Sequence, residues 1–383
     1  MLILVALAQG AALALLLVRL LPGRRRRPPV RPHGRVPADE SVSIIVATLN
    51  EAHRVGPCLE GLAAQGALVR EILVVDSGST DGTATLVEAA ARRDPRIRLL
   101  RDPPLPAGWV GKVWALEHGL RHATGTWVLG IDADTEPRPG LAAGAVSAAR
   151  TERFDAVSFA PRFRLSTAAE RWLQPALLVT LVYRFGAAGT EVDPERVMAN
   201  GQCFLARRDV LLAGGGYRIA RSSFCDDVTL ARHLARAGRR VGFLDGSRLY
   251  DVRSYASARE TWREWGRSLD LKDATTLPRQ WADLLFLLLV QGLPLPALAL
   301  LGGLWLSGAP IGEPARFVAL VSAVLVGVRT LLQFALAPSY AQTGLAFWLS
   351  PTADPAAAWR ILLSTVQTPR EWRGRTYPAI GKA

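Results

Sequence analysis

Cysteine and histidine are scarce in this sequence. Cys58, Cys203 and Cys225 are the only cysteines among 383 residues, and they form no CxxC pair. An odd, unpaired set argues against a disulfide framework and places the bulk of the chain in a reducing compartment. Of five histidines, only His118 and His122 have helical metal-ligand spacing, and no third ligand lies near them in sequence. They read as exposed helix residues. Acidic residues are missing altogether from positions 22–36, "PGRRRRPPVRPHGRV", which hold six arginines.

The arginine run explains much of the formal charge of +13. Arginines spread over a folded face would suggest nucleic acid, but these come directly after the apolar run 2–21. That placement reads as anchoring to anionic lipid on the cytoplasmic side, and no nucleic-acid partner is expected. A signal peptide carries its charge before the apolar part, the reverse of the order here. Residues 1–21 are therefore expected to be an uncleaved transmembrane anchor with its N-terminus outside, and 22–39 an Arg/Pro-rich linker.

Two more long apolar runs come late. Residues 284–306 hold no charge over 23 positions, and 317–337 are broken only by Arg329 and Gln333. Both are long enough for a hydrocarbon core about 30 Å thick. Arg329 is expected to face a partner helix, a head group or the end of a span. Residues 345–363, interrupted by "SPTADP" and Arg360, read as a re-entrant or interfacial helical pair, and "REWRGRTY" (370–377) as head-group contacts. The membrane region is thus expected over 281–383, making the protein a multi-pass one of the cell membrane.

Between these segments, 40–280 is expected to form a cytoplasmic α/β domain. Short apolar runs at 42–47, 71–75, 126–131, 156–160 and 203–206 are strand-sized, and helix-like stretches separate the early ones. That alternation implies a mostly parallel, Rossmann-like sheet. Ligands bind such sheets beyond the carboxyl ends of the strands. Polar clusters stand after the first three runs: Thr48, Asn50 and Glu51; Asp76, Ser77, Ser79 and Asp81; then Asp132, Asp134 and Glu136.

In an extended segment Asp132 and Asp134 would point the same way, with Cα atoms about 6.6 Å apart. A hard cation such as Mg²⁺ or Mn²⁺ suits two carboxylates better than zinc, with Glu136 as a third ligand directly or through water. A solvated turn or helix cap at "DTEP" is the plainer alternative. "ERWLQPALLVTLVYRF" (170–185), apolar and interrupted by Pro175, is either a helix lying in one leaflet or core.

"SIIVATLNEA", "ILVVDSGSTDGT", "DAD" and "FCDDVTLARHLARAG", in this order over about 41–270, resemble the four landmarks of the family 2 glycosyltransferases, which have the GT-A fold. "PPLPAGWVGKVWALEHG", the late paired spans and "WRGRTY" are similar to the membrane-anchored, lipid-glycosylating members: ceramide glucosyltransferase, hopanoid-associated and carotenoid glycosyltransferases. The resemblance implies a nucleotide-diphosphate sugar donor, a divalent ion and a lipid acceptor, with a carotenoid ranked first. It places Thr48, Glu51, Asp76, Lys112 and Asp132 at the donor, and Asp132 and Asp134 at the metal. Asp227 is implied as general base, with Asp226 beside it where the family usually has Glu. Asn200 and Gln202 are candidates for the acceptor side. The QxxRW motif of processive relatives is missing; "ARETWREWGRS" leaves Trp262 for the acceptor and Arg263 for the donor. The alternative reading is a nucleotide-sugar-binding scaffold that lacks catalysis.

Overall fold

The computed structural model describes residues 2–367 except 192, 254, 256, 267, 268 and 270, together with the backbone of 371–372 and 375–376. The head-group reading of 370–377 therefore lies largely outside the described residues. The chain divides into two compact units. One comprises residues 26–163, 188–254 and 370–383, the other 1–25, 164–187 and 255–369.

The first unit is built on a seven-stranded sheet in the order β3-β2-β1-β4-β8-β6-β9. Its strands are β1 (Val42–Thr48), β2 (Val69–Asp76), β3 (Ile97–Arg101), β4 (Trp127–Asp132), β6 (Ala156–Ala160), β8 (Cys203–Arg207) and β9 (Val241–Asp245). β1 and β2 have continuous apolar centres, 44–47 and 72–75, and are buried along nearly their whole length, as central parallel strands covered on both faces must be. All pairings are parallel except those of β8, which runs antiparallel to both β4 and β6. β3 and β9 were not expected. In β3, "IRLLR" mixes charged with apolar residues and is largely exposed, as suits an edge strand. Covering helices include Val55–Ala63, Thr83–Ala91, Gly111–His122 and Leu141–Thr151, and the shared core contains Ile44, Val46, Ile72, Val74, Leu129 and Leu205.

A smaller sheet joins β5 (Thr135–Pro137), β10 (Tyr250–Val252) and β7 (Arg162–Phe163). Here Glu136 stands opposite Asp251, antiparallel.

The second unit is helical. Residues 2–25 and Glu313–Ser339 form helices of 24 and 27 residues, both long and apolar enough to cross a membrane. The span expected over 284–306 falls on a helix pair, Leu277–Gly292 and Pro294–Leu306, bent by 44°. Pro294 has no N–H for the preceding turn and its ring crowds it, so the axis breaks there. Residues 345–363 are broken as the sequence suggests, into Leu345–Trp348, a 3₁₀ turn and Asp354–Val366.

Arg329 does face a partner. It is 2% exposed and pairs with Asp354 at 3.0 Å, with Ser350 Oγ accepting a further hydrogen bond at 3.2 Å. The helix Ala168–Phe185 belongs with these helices and not with the sheet, so the sheet-bearing unit is not the unbroken 40–280 stretch. Leu173, Leu177, Val179 and Tyr183 pack against Leu16, Leu287, Leu325 and Ile361 in one apolar core.

Candidate active site

Strand register decides what meets at the rim of the main sheet. Thr48 at the end of β1 pairs with Asp76 at the end of β2, and Ala47 pairs with Asp132 at the end of β4. Three polar strand ends therefore lie side by side. β8 runs the other way, so its beginning reaches the same rim: Cys203 pairs with Ile131, and the Asp132 amide donates to the Gln202 carbonyl at 3.3 Å. Asn200, Gly201 and Gln202 thus arrive beside the first acid of "DAD". Asn200 and Gln202 bind one another, the Gln202 amide donating to Asn200 Oδ1 and Asn200 Nδ2 to Gln202 Oε1.

A cleft open to solvent occupies this rim; its walls include Thr48, Glu51, Ser77, Lys112, Asp132 and Asp134. Five of the residues singled out from sequence therefore share one hollow. The geometry of the acid pair differs from expectation. β4 ends at Asp132, and Ala133 and Asp134 form a turn closed by the Thr135 hydroxyl, which donates to the Asp132 carbonyl at 2.8 Å. The two carboxylates reach a common cleft through a turn, not by alternation along a strand.

Their surroundings differ too. Asp132 Oδ1 receives Lys112 Nζ at 2.6 Å. Asp134 Oδ1 is buried and has no hydrogen-bond partner among the described residues. Burial, and after it the charge of Asp132, raise the Asp134 carboxyl well above its ordinary value. Burial likewise raises Glu51, offset in part by Arg54, whose guanidinium lies 3.0 Å away.

Lys112 lies in the first turn of helix Gly111–His122. Burial alone would lower its pKa, but Asp132, Asp226 and Asp227 outweigh that and raise it, so the ammonium stays charged. Asp226 and Asp227 open helix Asp226–Arg236, where the helix dipole favours anions. Asp227 is held on both oxygens: the Gly201 amide donates to Oδ2 at 2.6 Å and the Val228 amide to Oδ1 at 2.8 Å. Burial raises both carboxyls, with Lys112 opposing. Position 201 is tight: a Cβ there would lie 3.1 Å from Lys112 Nζ and 3.4 Å from Asp227 Cβ, so the lysine would have to give way.

Two residues expected at the donor or metal, Asp76 and Glu136, do not line the cleft. Asp76 faces its own loop, accepting from the Ser79 amide at 3.1 Å and from the hydroxyls of Ser79 and Thr48, and it is not part of the cleft wall. Ser77 takes that place and donates to Asp102 Oδ2 at 2.7 Å. Asp102 comes just after β3 and escaped notice because that strand did. Glu136, on β5, is also outside the cleft wall, and among the described residues no three His, Cys, Asp or Glu side chains are grouped for a metal ion. Trp262 and Arg263 belong to the helical unit. The Arg360 guanidinium stacks over the Trp262 ring at 5.7 Å and donates to its carbonyl at 2.8 Å, while Arg263 pairs with Glu264 at 2.7 Å. His118 and His122 stack with ring centroids 4.5 Å apart, with no metal-ligand group around them among the described residues. All three cysteines are buried free thiols, and burial pushes Cys58 up to about 12.

Residues 43–214 match the model of the glycosyl transferase family 2. Curated relatives include the lipopolysaccharide core biosynthesis glycosyltransferase LpsC of Rhizobium meliloti (36% identity over 93 residues, 24% of this chain and 31% of that one). Another is the dolichyl-phosphate beta-glucosyltransferase ALG5C of Trichomonas vaginalis (33% over 106 residues, 26% and 30%). The chain thus spans about a third of the length of these relatives. Among solved structures, the mannosyltransferase PcManGT of Pyrobaculum calidifontis, in complex with GDP-Man and Mn²⁺, aligns with a TM-score of 0.57 at 23% identity, covering 96% of this chain and all of that one. Strand order and the structural alignment agree on the GT-A fold, and residues 43–214 are similar to the glycosyl transferase family 2.

Proposed function

We propose that the protein moves a sugar from a nucleotide-diphosphate donor to a hydroxyl of a membrane lipid, with inversion and with a divalent ion. The observation that carries this reading is the meeting of Lys112, Asp132 and Asp134 in one cleft, with Asp227 fixed close by through Gly201. Membrane attachment through residues 2–25 and 313–339 favours an acceptor that resides in the bilayer. Arg24 to Arg27, at and just past the end of the first helix, favour a cytoplasmic sheet-bearing unit.

The donor set fits Mg²⁺ or Mn²⁺: hard carboxylate oxygens, one of them buried on Asp134 without a partner. Asp134 and Asp132 would hold the ion, which when bound offsets the charge growing on the departing diphosphate. Thr48, Glu51 and Ser77 line the same hollow and would orient the nucleotide. Lys112 places a fixed cation beside the phosphates. Asp227, aimed by two backbone amides, takes the acceptor hydroxyl's proton. That oxygen bonds to the anomeric carbon as the carbon–oxygen bond to the diphosphate breaks on the opposite side, which inverts the centre. Asn200 and Gln202, at the start of β8, would border the acceptor.

The test is transfer by the full-length protein in membranes, read by mass spectrometry of the lipids with UDP- and GDP-sugars. The same lipids from cells with and without the chain should differ by one glycoside. A glycolipid that forms with wild type and vanishes with Asp227→Asn supports the reading. Donor binding with no transfer to any lipid fraction would leave a binding scaffold in its place.

A further inference from the structure

Resting on that donor-site reading, we infer that Lys112 is a built-in counter-cation: without donor it occupies Asp132, the carboxylate a divalent ion needs, so the ion binds firmly only once a nucleoside diphosphate draws the lysine away. The ammonium lies 2.6 Å from Asp132 Oδ1, at direct ion-pair distance, with its side chain 14% exposed. A divalent ion on the same carboxylate would lie close to the ammonium in a partly desolvated cleft, where their mutual repulsion is weakly screened and weakens binding of the ion.

The neighbouring acid shows the other half of the arrangement. Asp134 Oδ1 is buried with no partner among the described residues, so the lysine neutralises one acid of the pair and leaves the second unmatched. Gly201 leaves room for the ammonium on the far side, since one added carbon there would meet Nζ at 3.1 Å. A nucleoside diphosphate brings a competing anion on which the lysine can make the same kind of charge-assisted hydrogen bond. Moving from carboxylate to phosphate keeps the lysine paired and frees Asp132. Metal and donor then bind with positive coupling, each raising the other's affinity by the same factor.

The experiment is a Mn²⁺ titration of the purified full-length protein in detergent, following free Mn²⁺ by electron paramagnetic resonance, first alone and then with saturating UDP or GDP. With Mn²⁺ alone, Lys112→Met should bind at least about tenfold more tightly than wild type, a difference of about 1.4 kcal/mol. Lys112→Arg, which retains the charge, should stay as weak as wild type. Adding the nucleotide should tighten the wild type strongly and Lys112→Met much less.

An independent arm uses wild type alone. Saturating Mg²⁺ with nucleotide should change acylation of the Lys112 amine several-fold, read by peptide mass spectrometry, relative to Mg²⁺ alone. Equal Mn²⁺ affinity in wild type and Lys112→Met, with nucleotide still bound, overturns the lysine inference and leaves the donor site standing. Unchanged Lys112 acylation overturns it too. Failure of all three proteins to bind either ion or nucleotide overturns both.

Discussion

The Gly201 amide donates to Asp227 Oδ2 at 2.6 Å, joining the strand that enters the rim backwards to the helix that opens with two acids. Because the Val228 amide holds the other oxygen at 2.8 Å, the carboxylate cannot rotate freely. Asp227→Asn keeps the shape and removes the basic oxygen. We expect transfer to fall by about 10²- to 10⁴-fold, with donor affinity, measured by calorimetry, nearly unchanged.

The same contact makes Gly201→Ala informative. Its Cβ would press on both Lys112 and Asp227 without reaching the main apolar core. Turnover should fall more steeply than the thermal midpoint, as assayed on one preparation by lipid transfer and by unfolding in detergent.

Asp226 gives the pH prediction. Burial, then the charge of Asp227, push its carboxyl up to about 7 against the opposing pull of Lys112. A folded pKa above the unfolded one means the folded state holds the proton more tightly, so this group's contribution is complete below about pH 4 and is lost as pH rises through about 7. Asp226→Asn cannot titrate. Relative to wild type, its unfolding midpoint should therefore improve as pH is raised from 5 to 8.

Asp227 shifts in the same direction, for burial again is the largest cause. As a base it works only when ionised. The acid limb of kcat/KM should accordingly fall at a pH above the ordinary aspartate value of about 3.9, and Asp227→Glu should move that limb.

In the helical unit, Arg329 and Asp354 are both almost fully buried. Removing one partner strands the other, so Arg329→Leu alone should destabilise by about 3–5 kcal/mol. The double change Arg329→Leu with Asp354→Leu should cost less than either single one. Unfolding midpoints of the four proteins in one detergent check this.

Much of the rim is legible in the amino-acid pattern. Runs such as "VSIIVAT" and "EILVVD" have a continuous apolar centre because both faces are covered, and such strands announce where they stop. The path of the chain just past each stop is less legible. The turn at Ala133 and Asp134 depends on one hydroxyl, that of Thr135, which no periodicity reveals. Asp76 turns towards Ser79 for the same kind of local reason, and Glu136 is taken up by pairing with β10. The Ala168–Phe185 helix carries an apolar pattern equally consistent with core or leaflet; only its long-range partners, such as Leu16 and Leu325, assign it to the helical unit. The bend between Gly292 and Pro294 is likewise hidden from hydropathy, which reads straight through a proline.

The three native thiols, Cys58, Cys203 and Cys225, are all sealed inside the sheet-bearing unit. Maleimide reagents therefore find little to react with in the folded native protein. A cysteine placed at an exposed end of the 2–25 or 313–339 helix would report which side of the bilayer it faces, with no need for a cysteine-free background that could disturb the core.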